Sequence, residues 1–296
     1  MKFAHCYELL LAALLLAGMG ASPVQAGPLN VFVSIPPQRF FVEKIGGVHV
    51  QPAVMVPPGA SPATYEPRPG QMVALSRAKI YFAVGVPFER TWLPRFQAAN
   101  AHLLVVHTDS GIPKIAMART FRPGRAPSSG LSHTGVKDPH IWLSPPLVKI
   151  QARHIYQALA GADPDHAAQY KKNFTSFVVF LDRLDREIRA TLAGLRRREF
   201  MVFHPAWGYF ARTYGLRQLP VEIEGKDPKP EQLQKLIRYG RGHGITAIFV
   251  QPQFSAKSAR TVAAAIGAKV ISADPLAADW AANLRRQAAR FAAALR

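Results

Sequence analysis

Short, almost unbroken apolar runs recur along this chain and alternate with stretches of helical periodicity. Runs of this kind, without strict apolar–polar alternation, are typical of parallel strands that are buried on both faces. We predict eight strands, at 29–35, 50–56, 79–85, 102–108, 199–204, 218–223, 247–252 and 268–272. Helical patterns lie between them, for example at 69–78, 87–100, 231–242 and 256–266. Four β–α units that occur twice predict an α/β protein with two doubly wound (β/α)4 lobes.

The two series are separated by residues 163–194, which have uninterrupted helical periodicity. Asp163 is a candidate N-cap, Pro164 suits a first helical turn, and Gly194 suits the end of a helix. Apolar residues recur there at spacings of three and four, at Phe174, Phe177, Val178, Leu181, Leu184 and Ile188. Such a helix, roughly 45 Å long, is predicted to run along both lobes and to fix their spacing. The predicted domains are an N-terminal lobe (27–162), the connecting helix (163–194) and a C-terminal lobe (195–296).

The N-terminus has the three-part pattern of a secretory signal peptide. Lys2 precedes an apolar run from Leu9 to Met19, and small residues precede Ala26, after which we predict cleavage. The run is about half of the roughly 20 residues that a membrane-spanning helix needs. Cys6 is the only cysteine and lies in this segment, so the exported protein is predicted to have no disulfide and no thiolate ligand.

The chain is strongly basic, with 37 Lys and Arg, 18 Asp and Glu, and a net charge of +19. Such a charge is common in proteins that bind nucleic acids or membrane surfaces. Here the basic residues are scattered and no nucleic-acid-binding motif accompanies them, so we expect a solvated basic surface and no nucleic-acid partner. Residues 114–137 are basic, lack periodicity and contain Pro, Gly and Ser, which predicts a mobile surface loop.

Three candidate metal ligands lie at the carboxyl ends of predicted elements or just beyond them. His140 lies in the stiff segment DPHIWLSPP (138–146), whose prolines exclude a long helix around it. His204 ends one predicted strand, and Asp274 follows another by two residues. Ligands bind at the carboxyl ends of strands in open α/β sheets, so one site in the cleft between the lobes could combine all three. Taken singly, each histidine could instead be a core or capping residue, and Asp274 before Pro275 is a common helix N-cap pattern.

Two imidazoles and one carboxylate suit a divalent transition metal. Zinc accepts this ligand set, whereas manganese prefers more oxygen ligands. We therefore expect Zn²⁺, with Mn²⁺ as the alternative.

Seven blocks of sequence, in the same order, resemble the periplasmic metal-binding subunits of zinc and manganese ABC importers, the family that includes ZnuA and TroA. The blocks are VSIPPQRFFVEKIGG (33–47), VPPGASPATYEPRPGQM (56–72), VGVPFERTWLPRF (84–96), DPHIWLSP (138–145), FHPAWGYFARTYGL (203–216), VEIEGKDPKPEQL (221–233) and ISADPLA (271–277). The resemblance implies two α/β lobes joined by one long helix, with the metal between them. It implies the ligands His140, His204 and Asp274, delivery of the metal to a membrane permease, and no catalytic activity. We expect a monomer.

The chain departs from the family at one ligand. Most members have a histidine in the block Ser-Pro-His-x-Tyr-Glu-Pro, but this chain has Ala63 there, which cannot bind a metal. A water could fill that position, or His133 or Glu66 could move in, or the site could have lost its metal. The loop 114–137, which is rich in His and acidic residues in many zinc-specific members, is basic here, with His133 as its only imidazole.

Two other classes of function are compatible with these residues. A secreted zinc hydrolase could use an open His-His-Asp site, although the sequence has no His-Glu-x-x-His motif. Glu66 is the only candidate general base. A metal-free binding or adhesion protein could use the same scaffold. Turnover of ester or peptide substrates would distinguish the hydrolase from a metal carrier.

Overall fold

The computed structural model describes residues 27–117, 135–222 and 226–296. The predicted signal peptide and most of the predicted loop 114–137 lie outside these residues. The first sheet contains β1 (Leu29–Val33), β2 (Val50–Val54), β3 (Ile80–Ala83) and β4 (Leu104–His107). The second contains β5 (Glu199–Val202), β6 (Arg217–Pro220), β7 (Ala247–Val250) and β8 (Lys269–Ser272). The predicted α/β class with two lobes is confirmed.

Helices cover the sheets and connect their strands. The N-terminal lobe has α1 (Pro36–Gly46), α2 (Pro69–Leu75), α3 (Glu89–Ala99) and α4 (Pro145–Ala162). The connecting helix is α5 (Ala167–Thr191), and the C-terminal lobe has α6 (Gly208–Thr213), α7 (Pro230–Gly242), α8 (Lys257–Ile266) and α9 (Trp280–Leu295). In the described part of the chain, no helix is both long enough and apolar enough to cross a lipid bilayer.

The two sheets have the same topology. Their strand orders are β2-β1-β3-β4 and β6-β5-β7-β8, and every neighbouring pair is parallel. All four residues of β3 are buried, as its apolar sequence predicts, whereas the edge strands β4 and β8 are partly exposed. The direction of winding reverses between β1 and β3 and again between β5 and β7. Ligands of open α/β sheets bind outside the carboxyl ends of strands at such reversals.

The connecting helix is shorter than the sequence suggests. A 3-10 turn occupies Pro164–His166, and α5 has 25 residues, which corresponds to roughly 37 Å. The predicted N-cap is wrong, because the Asp163 side chain caps no helix. Its carboxylate instead accepts hydrogen bonds from the Tyr170 hydroxyl and the His166 ring. The predicted apolar stripe is present, since Phe177, Leu181, Leu184 and Ile188 are buried.

Helix α5 joins the two lobes through a shared core. It packs against α1 and α4 of the N-terminal lobe and against α9, the last helix of the chain. At the start of α9, the Trp280 ring lies 4.9 Å from the ring of Phe41 in α1, measured between centroids. The Trp280 indole also donates a hydrogen bond to the carbonyl of Trp142. One continuous cluster of buried side chains therefore includes both lobes, and this packing restricts wide hinge motion between them.

Candidate metal centre

A cavity of about 490 Å³ lies between the lobes. Its walls are formed by segments that follow the carboxyl ends of strands in both sheets, where the topology predicts a ligand site. The N-terminal lobe contributes Ser61, Pro62, Ala63, Thr64, Val86, Pro87, Met117, Val136, Lys137, Pro139, His140 and Trp142. The C-terminal lobe contributes His204, Glu222, Gln253, Phe254, Pro275 and Leu276. Two of the three predicted ligands, His140 and His204, thus border one cavity.

His140 is held at the cavity wall by the carboxylate of Asp138. Oδ1 of Asp138 accepts hydrogen bonds from the His140 backbone N–H, at 2.9 Å, and from its ring Nδ1, at 2.7 Å. An ionised carboxylate can only accept, so Nδ1 carries the proton and Nε2 keeps its lone pair. Metal-binding histidines are commonly oriented by a carboxylate in this way. The prolines around His140 are therefore only part of what fixes it.

The close approach of helix α6 holds Asp138 in place. The carboxylate is 1% exposed, and the Tyr209 hydroxyl donates to the Asp138 carbonyl at 3.0 Å. A Cβ atom at Gly208, the first residue of α6, would lie 2.6 Å from Oδ2 of Asp138. A side chain at position 208 would therefore displace the carboxylate that orients His140.

His204 has a matching arrangement in the C-terminal lobe. Its ring Nδ1 lies 2.8 Å from Oε1 of Glu222, which leaves Nε2 free to bind a metal. The Gln251 amide fixes the backbone of His204, accepting from its N–H at 3.0 Å and donating to its carbonyl at 2.7 Å. The imidazole also stacks on Phe254, with ring centroids 4.6 Å apart. Both the position and the tautomer of the imidazole are thereby fixed.

The two imidazoles are spaced as they would be on one metal ion. The ring centroids of His140 and His204 are 5.3 Å apart and their planes are inclined at 69°. On a tetrahedral zinc, with Zn–N distances of about 2.0–2.1 Å, two imidazole centroids lie roughly 5 Å apart. The observed spacing therefore matches a shared zinc ligand pair.

Asp274 is not part of this pair in the structure. Its Oδ1 accepts hydrogen bonds from the Gln253 side chain and from the Leu276 backbone, both at 2.9 Å. The residues that follow it, Pro275 and Leu276, border the cavity, whereas Asp274 does not. Within the described residues, no three His, Cys, Asp or Glu side chains are grouped so that they could hold a metal ion. The assignment of Asp274 as a ligand stays a prediction.

The position of the missing family histidine faces the same cavity. Ala63 borders the cavity, whereas Glu66 is exposed and is not among its lining residues. His133 falls outside the described residues. Two oxygens of cavity-lining residues, Oε2 of Glu222 and Oε1 of Gln253, are buried and accept no hydrogen bond from the part of the chain that is described.

The cavity wall at 86–87 depends on a buried glutamate at the start of α3. The Glu89 carboxylate accepts hydrogen bonds from the backbone amides of Val84, at 2.9 Å, and Gly85, at 2.7 Å, and from the Ser34 hydroxyl at 2.6 Å. Burial raises the pKa of Glu89 to about 7, although these hydrogen bonds act in the opposite direction. The carboxyl group of Glu89 therefore links the β3–α3 loop to Ser34, the residue after β1. This group becomes negatively charged only near neutral pH and above.

Sequence patterns alone assign no role to Asp138, Glu222 and Glu89. A signal for Asp138 was present, since an acid two residues before a histidine in a tight turn can reach its ring. Glu222 follows a strand end, as ligands do, but its pairing with His204 depends on β5 and β6 being neighbours. The burial of Glu89 depends on the packing of the whole lobe.

Solved structures and curated proteins are similar to this chain over most of its length. A crystal structure of ZnuA superposes with a TM-score of 0.84 at 43% identity, covering 91% of this chain and 100% of that chain. A zinc-bound ZnuA deletion mutant gives a TM-score of 0.82 at 45% identity, covering 90% of this chain and 98% of its own. The high-affinity zinc uptake system protein ZnuA of Bacillus subtilis (strain 168) is 28% identical over 271 residues, which are 90% of this chain and 84% of that protein. Residues 31–294 match the family described as ZnuA, zinc-uptake complex component A, periplasmic, and the chain belongs to this family.

Proposed function

We propose that this protein captures zinc in the periplasm and delivers it to the membrane permease of an ABC importer. The observation that carries the proposal is the pair His140 and His204, whose rings lie 5.3 Å apart with each Nδ1 engaged by a carboxylate. Membership of the ZnuA family supports zinc as the cargo. Export through a cleaved signal peptide and a monomeric state belong to the same proposal.

Zinc binds to Nε2 of His140 and Nε2 of His204. Asp274 becomes the third ligand when its loop moves toward the imidazoles, and a water in the fourth position completes a competent zinc site. This movement is local, because the shared core and α5 hold the lobes together. Metal and protons compete for the same nitrogens, so affinity falls on acidification.

The ligand types favour zinc over manganese. Two neutral imidazoles suit zinc, whereas manganese is held better by carboxylates, carbonyls and water. Mn²⁺ therefore remains the weaker alternative cargo.

The site suits a carrier better than a hydrolase. A zinc hydrolase needs a general base within hydrogen-bond reach of the metal-bound water. Glu66, the candidate that the sequence offers, is exposed and does not border the cavity. We therefore propose no catalytic activity, and zinc-dependent turnover of ester or peptide substrates would contradict this.

Calorimetric titration of the metal-free protein tests the site. We expect one zinc per chain, weaker binding of manganese, and at least a hundredfold loss of zinc affinity in both His140→Ala and His204→Ala. Asp274→Asn tests the third ligand and is expected to weaken binding by a smaller factor. His102→Ala, at an exposed position outside the cavity, is the matched control. Equal affinity in the wild type and both cavity variants would refute the assignment.

A further inference from the structure

A basic face lies at the amino ends of the strands in the second sheet, away from the metal cavity. Basic residues are scattered along the sequence, but the fold collects six of them here from four separate segments. The basic face consists of Arg196, Arg197 and Arg198 before β5, Arg241 in the last turn of α7, Lys269 at the start of β8, and Arg296 after α9. All six residues are exposed.

Hydrogen bonds show that these segments are neighbours. The backbone N–H of Arg197 donates to the carbonyl of Leu295 at 3.0 Å, and its guanidinium donates to the carbonyl of Gly244, before β7, at 2.9 Å. The backbone N–H of Lys269 donates to the carbonyl of Thr246 at 2.9 Å. One strand, β7, separates β5 from β8, so the basic face extends roughly 10 Å across the sheet. Its charges are therefore spread over a surface and do not converge on one point.

Acidic side chains on the adjoining elements already have cationic partners. Glu199, the first residue of β5, pairs with Arg217 at 2.6 Å. Asp185 and Glu187, in the last two turns of α5, are also paired with arginines outside the basic face. None of the six basic residues forms an ion pair with the described part of the chain. Even with the terminal carboxylate of Arg296, the basic face keeps a net positive charge.

Attraction to helix C-termini accounts for only part of this charge. Arg241 and Arg296 lie at the ends of α7 and α9, where the negative end of the helix dipole stabilises a cation. Arg196, Arg198 and Lys269 lie outside the helices, and their side chains donate no hydrogen bond to the residues that the structure describes. Their donors are therefore available to an anionic partner.

The residue types of the basic face suit phosphate groups on an extended surface. Five of the six residues are arginines, whose planar guanidinium binds phosphate through paired hydrogen bonds. A bilayer that contains anionic phospholipid presents many phosphates in one plane and attracts clustered Lys and Arg side chains. A carrier that delivers its cargo to a membrane permease works beside such a bilayer.

We propose that the basic face binds the phosphate groups of anionic phospholipids at a bilayer surface and so holds the carrier close to the membrane. The metal cavity lies beyond the carboxyl ends of the same strands, and a strand of four residues such as β5 separates the two ends by roughly 13 Å. Membrane contact therefore leaves the cavity uncovered. The inference rests on the proposed function only for the choice of a membrane over other surfaces that carry phosphate.

Sedimentation with sucrose-loaded vesicles tests the proposal. Protein purified from the periplasm is mixed, at about 0.1 M NaCl, with vesicles of phosphatidylglycerol and phosphatidylcholine in equal parts, or of phosphatidylcholine alone. We expect the protein to sediment with the anionic vesicles, to stay in solution with the neutral ones, and to bind less tightly as salt is raised. Equal sedimentation with both vesicles would overturn the proposal. Failure to bind anionic vesicles, with tight binding of a short DNA duplex, would also overturn it and would indicate a nucleic-acid surface.

Charge reversal distinguishes the basic face from the net charge of the protein. The triple variant Arg196→Glu, Arg198→Glu and Lys269→Glu should need at least tenfold more anionic lipid for half-maximal binding. The matched control reverses three exposed cations elsewhere, by Arg77→Glu, Lys79→Glu and Lys171→Glu. It makes the same change in net charge and should bind within about threefold of the wild type. Equal losses in both triple variants would overturn the placement on the basic face.

Zinc titration of the same variants separates this inference from the proposed function. Both triple variants should bind zinc as the wild type does, because their substitutions lie outside the cavity. Wild-type zinc affinity without any binding to anionic vesicles would overturn the inference and leave the proposed function standing. The milder variant Arg196→Gln, Arg198→Gln and Lys269→Gln decides the matter if charge reversal prevents folding. It should need at least threefold more lipid, and unchanged binding would refute the proposal.

Discussion

Ionisation of Glu89 should make the free energy of unfolding of this protein depend on pH. The substitution Glu89→Gln should remove that contribution. The carboxyl group of Glu89 is 3% exposed and accepts hydrogen bonds from Val84, Gly85 and Ser34. The group is protonated in the native state over a range in which an exposed glutamate would be ionised. Glu89→Gln keeps the size of the side chain and removes the titration.

The size of the effect follows from the pKa of Glu89, which burial raises from 4.5 to about 7. Because the native state binds the proton more tightly than the unfolded state, this group favours folding fully below pH 4.5. That contribution is lost as the pH rises through about 7. At about 1.4 kcal/mol for each pH unit, the loss amounts to roughly 3 kcal/mol. Glutamine should carry no such loss, although its NH2 group meets the backbone N–H of Gly85 and costs about 1–3 kcal/mol at every pH.

Urea unfolding at pH 4.5, 6 and 8, followed by tryptophan fluorescence, measures this difference. The free energy of unfolding of Glu89→Gln, relative to the wild type, should become more favourable by roughly 3 kcal/mol between the lowest and highest pH. Glu66→Gln, at an exposed glutamate, is the control and should give a constant difference. Parallel curves for Glu89→Gln and the wild type would refute the conclusion that burial controls the ionisation of this group.

Other perturbations test the metal centre and the core. Asp138→Asn and Glu222→Gln should each weaken zinc binding about 10–100-fold in calorimetric titration, because loss of the carboxylate frees the tautomer and orientation of the imidazole; unchanged affinity would contradict that role. Trp280→Ala should lower the free energy of unfolding in urea by about 3–5 kcal/mol, because its indole is 1% exposed and joins the two lobes. Val179→Ala, at a side chain that is 63% exposed, should change that free energy little.

The fold could be predicted because the strand signal is strong and repeated. All eight predicted strands are present. The signal is clearest for central strands such as β3, because a strand buried on both faces leaves a nearly unbroken apolar run. The start of α5 could not be placed, because Asp163 has competing hydrogen-bond partners in Tyr170 and His166. Periodicity alone carries no information about such side-chain contacts. It identifies the helix but not the residue at which the α-helical turns begin.

The meeting of the two histidines at one cavity was predictable from the sequence, whereas their carboxylate partners were less so; that the histidines bind metal stays a prediction. His140 and His204 stand out because proline-rich segments and strand ends are visible in the sequence. The pairing of His204 with Glu222 joins residues 18 positions apart and requires the strand order of the second sheet. The position of Asp274 outside the imidazole pair reflects hydrogen bonds with Gln253 and Leu276. Spacing along the chain could not reveal these contacts.

Two buried carboxylates, Asp138 and Glu222, lie beside the two histidines. Their burial indicates whether a site that lacks the family's fourth ligand still binds metal. Asp138 and Glu222 are 1% and 4% exposed, and each has one oxygen without a hydrogen-bond partner in the described part of the chain. Burial of such a group costs free energy that hydrogen bonds to only one of its two oxygens offset in part. A divalent cation on Nε2 polarises the imidazole, strengthens its hydrogen bond to the carboxylate and neutralises the two negative charges. In a metal-free scaffold, apolar residues at both positions would be as stable or more stable. The arrangement around the histidines therefore favours a site that still binds zinc with Ala63 in place of the family's histidine.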